Sequence, residues 1–273
     1  MIYVITAVHN RKKITEAFVH LLMNQTYKDI ILILVDDGST DGTADAVLEL
    51  MPNTVVLQGD GNLWWGGALH KAYQWIRKNG NQNEYVMFAN DDTFFEENYI
   101  EMAMSKLKEE NKCLLTGLGI SKQSNKVVDG AVVFDYKTTA ILRRGIGIGN
   151  CASTRSLFFR VKDYLKIGGF HPVLLPHYGS DYEWTLRASR KYGYKILCDE
   201  NVTYYVNEET TGDNSYDNLN RKKLFSKRAI SNPLYKFSLI LLATPIKYLP
   251  VALYNQIFRN IKKRTVFHDI MRR

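Results

Sequence analysis

The sequence predicts an α/β fold in which a mostly parallel sheet carries helices on both faces, followed by a basic, apolar helical tail. Strand-like apolar runs alternate with helix-spaced segments three times within the first 110 residues. The run Ile30 to Val35 is apolar throughout, as a strand covered on both faces must be. Several runs stop abruptly at polar or acidic residues, and ligands of such sheets bind at the carboxyl ends of the strands.

Taken in order, Ile2 to Val8 is the first strand, ending at His9, Asn10 and Arg11. Ile14, Phe18, Leu21 and Leu22 recur at helical spacing, so Ile14 to Met23 is expected to be a helix. Ile30 to Val35 ends at Asp36 and Asp37, and the turn after it offers Ser39, Thr40 or Asp41 as cap of a helix through Ala44 to Met51. Thr54 to Leu57 is a third strand. Gly59, Gly61, Gly66 and Gly67 then precede a helix of roughly Ala68 to Lys78, and they either let the backbone approach a ligand or simply form a loop. Tyr85 to Ala89 is a buried strand stopping at Asn90, Asp91 and Asp92, followed by a helix from about Glu97 to Glu110. In the second half, Leu114 to Ile120, Val127 to Phe134, Ser156 to Val161 and Lys195 to Tyr205 are expected strands. Val161 to Ile167 and Asp181 to Tyr192 are expected helices, the latter with Trp184 and Leu186 turned inward.

Composition narrows the possibilities. A chain of 273 residues that is 45% hydrophobic buries a large core, which excludes a disordered or fibrous protein. Cys113, Cys151 and Cys198 lie far apart, suggesting neither a zinc site nor a disulfide framework, and a reducing cytosol fits them. The N-terminus runs from apolar to basic, the reverse of an export signal. The net charge of +8 is unevenly spread: residues 221–273 carry +12, leaving −4 for the rest. That asymmetry points to an anionic surface for the tail, not to nucleic acid for the whole protein.

Four strand ends collect the residues suited to chemistry, namely His9, Asp37, Gly61 and Asp92. Asp92 with Asp91 can hold Mg2+ or Mn2+, hard cations that take carboxylate oxygens and leave positions for phosphate oxygens. The same pair can instead start a turn or cap the next helix. Asp37 can accept hydrogen bonds from a base or ribose. Asp181, at a helix start, is either a general base or an N-cap.

The order of VITAVHNR, ILVDDGSTDGT, GNLWWGGALHKAY, FANDDT, the GGF of Gly168 to Phe170 and SDYEWTLRA resembles glycosyltransferase family 2, with the GT-A fold, and particularly its bacterial rhamnosyltransferase-like members. The resemblance covers about Met1 to Tyr205. It implies an inverting, metal-dependent transfer of a single sugar, rhamnose or another hexose, to a glycan or lipid-linked acceptor of the cell envelope or capsule, with a UDP or dTDP donor favoured. It assigns Asp37, Ala7, His9 and Asn10 to the nucleotide, and Gly61, Asn62, Trp65 and Asp91 to the donor. Asp92 becomes the ligand of Mn2+ or Mg2+, and Asp181 the catalytic base. His177 and Trp184 are carried as acceptor or diphosphate contacts. Two departures stand out: Ser180 replaces the acid usually found before the base, and no QxxRW follows, which argues against a processive synthase.

The expected domains are residues 1–220 and a helical extension, 221–273. Pro245, Pro250 and Lys247 interrupt the apolar run from Pro233 to Tyr254, so it is expected to lie on a membrane surface rather than span it, or to pack on the domain or a second subunit. The expected location is cytoplasmic, at the inner face of the plasma membrane, with a homo-oligomer open. A catalytically degenerate nucleotide-sugar-binding or membrane-assembly protein is the reading from another class. A dinucleotide dehydrogenase is disfavoured because no GxGxxG follows the first strand.

Overall fold

The computed structural model describes residues 1–207, 225–227, 229 and 232–262, excepting the side chains of residues 143, 144 and 257–262. Most of the cations counted in the tail, among them Arg221, Lys222, Lys223, Arg228, Lys263, Arg264, Arg272 and Arg273, lie outside the described residues.

The first half is β1 (Ile2–Val8), α1 (Lys12–Met23), β2 (Ile30–Asp36), α2 (Thr43–Leu50), β3 (Val55–Gln58), α3 (Trp64–Asn79) and β4 (Tyr85–Ala89). Then come β5 (Thr93–Phe94), α4 (Tyr99–Glu109), β6 (Cys113–Ser121), β7 (Val127–Asp129), β8 (Ala131–Phe134), β9 (Ile141–Gly145), β10 (Gly147–Gly149), β11 (Ser156–Arg160), α5 (Val161–Ile167), α6 (Ser180–Tyr192) and β12 (Lys195–Val206). The last described elements are α7 (Pro233–Ala243), a 3-10 turn at Ile246–Tyr248 and α8 (Leu249–Lys262).

The strands join in the order β10-β12-β6-β11-β4-β1-β2-β3. β3, β2, β1 and β4 are parallel, with Ile2 opposite both Ile30 and Tyr85. β11 then runs antiparallel between β4 and β6. Alternate residues of each strand face opposite cores. Val4, Leu32, Leu34 and Met87 pack under α1 and α4, whereas Ile5, Ile33, Val35 and Phe88 pack under α3, α5 and α6. Both faces are therefore buried, which is why β2 reads as a continuous apolar run.

Four expectations need correction. Helix α3 starts at Trp64, not near Ala68, so Gly66 and Gly67 are helical. The physical reason is close packing: a Cβ on Gly66 would sit 2.4 Å from the Leu175 carbonyl oxygen, so this turn nests against the loop before α6. Val127 to Phe134 is two strands, broken at Gly130, whose φ of 154° and approach to Gly145 turn the chain into β8. β9 and β10 lie outside the expected strands: β9, Ile-Leu-Arg-Arg-Gly, sets apolar beside apolar and basic beside basic residues instead of alternating, and β10 is only Gly-Ile-Gly. The N-cap of α2 is Gly42, with Asp41 accepting from the Thr43 amide at 3.1 Å.

Trp184 also departs from its assignment as an acceptor or diphosphate contact. It is fully buried, stacked on Phe170 with ring centroids 5.6 Å apart and edge-on to Phe88 and Tyr164 at 5.7 Å each. Its Nε1 donates to the Gly168 carbonyl at 2.7 Å. The helical phase of α6 turns it into the sheet-facing core, where an indole needs one polar partner and has it. Arg187, one turn on, donates to the carbonyls of Ile167 and Gly169 at 2.7 and 2.8 Å and forks onto Glu183. These bonds fix α6 to the Gly168–Gly169 turn and hence set where Asp181 stands. Trp184→Ala is expected to cost about 3–5 kcal/mol, read from denaturant unfolding, by emptying this aromatic cluster.

Candidate active site

A cavity of about 580 Å3 opens at the carboxyl edge of the parallel strands. It is lined by Ala7, Val8 and His9 from the end of β1, Asp37 from the end of β2, and Gly61, Trp64 and Trp65 from the turn into α3. Asn90 and Asp91 after β4, Ser153 to Arg155 before β11, and His177, Tyr178 and Asp181 complete the wall.

Asp37 organises the first side. Its Oδ1 accepts from the amides of Gly61 and Leu63 at 2.9 and 3.1 Å, and its Oδ2 from the amide of Trp64 at 3.0 Å. A carboxylate has about four acceptor positions, so Oδ2 keeps one for a ligand. Trp64 sits at φ 59°, a costly region for a bulky residue, of order 1–3 kcal/mol. The Asp37 bond and an Nε1 bond to Asn62 Oδ1 at 3.2 Å hold it there, and its ring lies 5.5 Å from that of His177. Trp65 Nε1 donates to Thr154 Oγ1 at 2.7 Å, which ties this turn to the segment before β11. His9 Nδ1 lies 2.6 Å from the Asp37 carbonyl, which assigns the proton to Nδ1.

The second side is acidic. Asp91 and Asp92 are both buried, and the Arg11 guanidinium bridges them, Nε at 3.1 Å from Asp91 Oδ2 and a terminal nitrogen at 3.3 Å from Asp92 Oδ2. Burial pushes the Asp91 carboxyl up to about 6, with Arg11 opposing and Asp92 adding to the rise. Neither acid caps a helix, since α4 begins only at Tyr99, but both lie in a turn closed by the Thr93 amide on the Asn90 carbonyl at 3.3 Å, as the alternative reading expected. Asp92 Oδ1 is buried without a hydrogen-bond partner among the described residues. Such an orphaned oxygen suits a hard divalent cation, and two adjacent carboxylates leave the remaining coordination to waters and phosphate oxygens. Among the described residues no three acids, histidines or cysteines cluster, so the protein alone would not complete a shell.

Asp181 stands in the first turn of α6, whose N-cap is Gly179. Burial pushes its carboxyl up to about 6, with the Tyr182 amide at 2.8 Å opposing and Asp129 adding to the rise. Asp129 thus supplies the neighbouring acid that Ser180 does not. It sits at the end of β7, where Tyr204 donates to it at 2.7 Å and Ser153 also donates.

The fold therefore brings Ala7, His9, Asp37, Gly61, Trp65, Asp91, His177 and Asp181 to one cavity. Asn10 and Asn62 flank it: Asn10 Oδ1 takes the Thr40 amide at 2.8 Å, and Asn62 Oδ1 takes Lys227 Nζ at 2.6 Å. Asp92 borders a smaller pocket behind, with Lys13, Phe18 and Phe94. Sequence reasoning missed Arg11, Ser153, Thr154, Arg155, Tyr178 and Asp129. Arg11 was the one legible signal, since it ends the polar triplet after β1. The direction of β11, which brings Ser153 to Arg155 to the edge where β4 ends, was not legible at all.

This arrangement places the chain in a known architecture. The mannosyltransferase PcManGT from Pyrobaculum calidifontis, solved in complex with GDP-Man and Mn2+, superposes with a TM-score of 0.62 at 16% identity, covering 94% of this chain and 69% of that one, so the two share the GT-A fold. The family model for glycosyl transferase family 2 matches residues 3–164, and the chain belongs to that family. Glycosyltransferase GlyG of Streptococcus pneumoniae serotype 4 (strain ATCC BAA-334 / TIGR4) is 29% identical over 119 residues, 43% of this chain and 38% of GlyG. The O-antigen chain rhamnosyltransferase WbaN of Salmonella anatum is 24% identical over 165 residues, 57% of this chain and 51% of WbaN. The chain thus matches about half or less of the length of these relatives.

Asp37→Ala removes the acceptor of three buried or half-buried amides. The loop should loosen, with the Gly61, Leu63 and Trp64 amides losing hydrogen-exchange protection and stability falling by about 2–4 kcal/mol. Unchanged protection at these amides would show that Asp37 does not hold the loop.

Proposed function

We propose that the protein transfers a single sugar, rhamnose or another hexose, from a nucleoside-diphosphate sugar to a hydroxyl of a glycan or lipid-linked acceptor, with inversion. The observation that carries this reading is Asp181, a carboxyl raised to about 6 by burial, in the same cavity as the Asp37-held loop and Asp91. A base near neutrality is suited to general catalysis at physiological pH. Family membership, the rhamnosyltransferase name of WbaN and the GDP-Man and Mn2+ of PcManGT support a nucleotide-sugar donor and a divalent cation.

Ionised Asp181 takes the proton of the acceptor hydroxyl as its oxygen bonds to the anomeric carbon. The bond from that carbon to the diphosphate oxygen breaks, and its electron pair leaves with the nucleoside diphosphate. One displacement inverts the carbon and needs no covalent nucleophile. Asp92 and Asp91 would hold Mn2+ or Mg2+, whose chemistry when bound is to neutralise charge on the departing diphosphate. Asp37 and His9 orient the nucleoside, and Trp64, Trp65 and His177 wall the sugar from water.

The tail supports a location at an anionic membrane surface. Helix α7 packs Ala243 and the half-buried Leu239 against the domain, with Ile240 also buried, and Arg190 donates to its Leu242 carbonyl at 3.2 Å. Its other face exposes Leu234, Phe237 and Leu241, three and four residues apart on one stripe, with Ile246 and Val251 beyond. No helix among the described residues is long and apolar enough to cross a membrane. An apolar stripe within residues 221–273, whose net charge is +12, suits the headgroup region of anionic lipid.

Two measurements test this reading. Purified protein with Mn2+ and a panel of UDP-, dTDP- and GDP-sugars, with candidate acceptors, should release nucleoside diphosphate from one donor. Asp181→Asn should lower kcat by about 10³-fold. Only ionised Asp181 accepts a proton, so the acidic limb of kcat/KM should rise with pH about a midpoint near 6. Donor binding without turnover across all acceptors would favour a nucleotide-sugar-binding protein instead. Separately, the protein should co-sediment with vesicles rich in anionic lipid and not with neutral ones, and Phe237→Ser with Leu241→Ser should release it. Equal recovery with both vesicle types would refute the membrane face.

A further inference from the structure

We propose that Arg155 is an anion-binding residue whose guanidinium takes the phosphate oxygens of the donor's diphosphate. The proposal rests on the nucleotide-sugar reading of the cavity and adds to it a residue that neither sequence motif nor family resemblance pointed to.

Arg155 lines the cavity immediately before β11, beside Ser153 and Thr154. Its backbone is fixed: its carbonyl accepts the Asn90 amide at 3.0 Å, and its own amide lies 3.4 Å from Ser153 Oγ. Its side chain makes no hydrogen bond or ion pair among the described residues. Arg155 is half-buried, so its guanidinium, with five donors, faces the open cavity rather than a closed core.

Arg155 acts on the nearby acids through its field, opposing the rise of Asp181, without a hydrogen bond or ion pair to any of them among the described residues. Tyr204, Asp129, Asp92 and Asp181 surround it, and their combined field outweighs burial to keep it above its ordinary pKa. Each of the three carboxylates already has a hydrogen-bond donor of its own. Asp129 accepts from Tyr204, Ser153 and the Gly130 amide, Asp92 from Arg11, and Asp181 from the Tyr182 amide. Arg11, the other arginine of the cavity, is engaged by Asp91 and Asp92. Arg155 is thus the arginine left to a ligand, and its planar fork matches two phosphate oxygens at once.

The test measures binding of inorganic pyrophosphate, the nucleoside diphosphates UDP, dTDP and GDP, and the matching nucleosides, by calorimetry, to wild type, Arg155→Ala and Arg155→Lys. Circular dichroism confirms that the variants fold. Wild type should bind pyrophosphate and one nucleoside diphosphate. Arg155→Ala should weaken both by about 10- to 100-fold and leave nucleoside binding unchanged. Arg155→Lys, which keeps the charge but not the fork, should fall between and serves alone if the alanine variant does not fold. Wild-type affinity for the diphosphate in either variant, with turnover lost and the Asp181 pH midpoint raised, would overturn the proposal and make Arg155 a tuner of the base, leaving the donor reading intact. If wild type binds no nucleoside diphosphate but Arg155 still governs pyrophosphate, the anion site stands and the donor reading falls. Binding of neither to wild type overturns both.

Discussion

The structure depends on how β4 is held. Parallel pairing to β1 carries its end to the edge where β1 and β2 also end, so Asn90 and Asp91 face the same cavity as His9 and Asp37. Antiparallel pairing to β11 brings the beginning of that strand to the same edge, and with it Ser153, Thr154 and Arg155. One strand with neighbours of opposite sense therefore joins a half built of βα units to a mixed half that supplies Asp129 and Asp181. The bond from the Asn90 amide to the Arg155 carbonyl closes that junction.

The cavity gathers like charges that would repel one another without the surrounding donors. Asp37 is spent largely on backbone amides, so its cost of burial is offset by shaping the Trp64 turn. Asp91 and Asp181 are raised by burial, each with a second acid adding to the rise. A carboxyl in that state binds a cation or takes a proton more readily than an exposed one whose charge water already satisfies. The aromatic cluster of Phe88, Phe170 and Trp184 lies behind this wall and, through the Gly168–Gly169 turn and Arg187, fixes the helix that presents Asp181.

The parallel half was largely legible because its rules are local. A strand covered on both faces reads as an apolar run, and an amphipathic helix shows its period, so β1, α1, β2 and β4 fall within a few residues of expectation. The start of α3 was misplaced because two glycines read as a loop, whereas tertiary contact with Leu175 requires them inside the helix. Trp184 was assigned both to the core and to a ligand; the sequence marks it as aromatic and inward, but not what inward faces.

By itself the sequence determined the α/β class, the family resemblance and most acids of the site, because strand ends and short acidic motifs are written in consecutive residues. Only the tertiary structure decided the direction of β11, the pairing of Arg11 with Asp91 and Asp92, the approach of Asp129 to Asp181 and the unpaired state of Arg155. Those features join residues tens of positions apart, and both the sense of a strand and the burial of a charge follow from what packs against it, which no local pattern encodes.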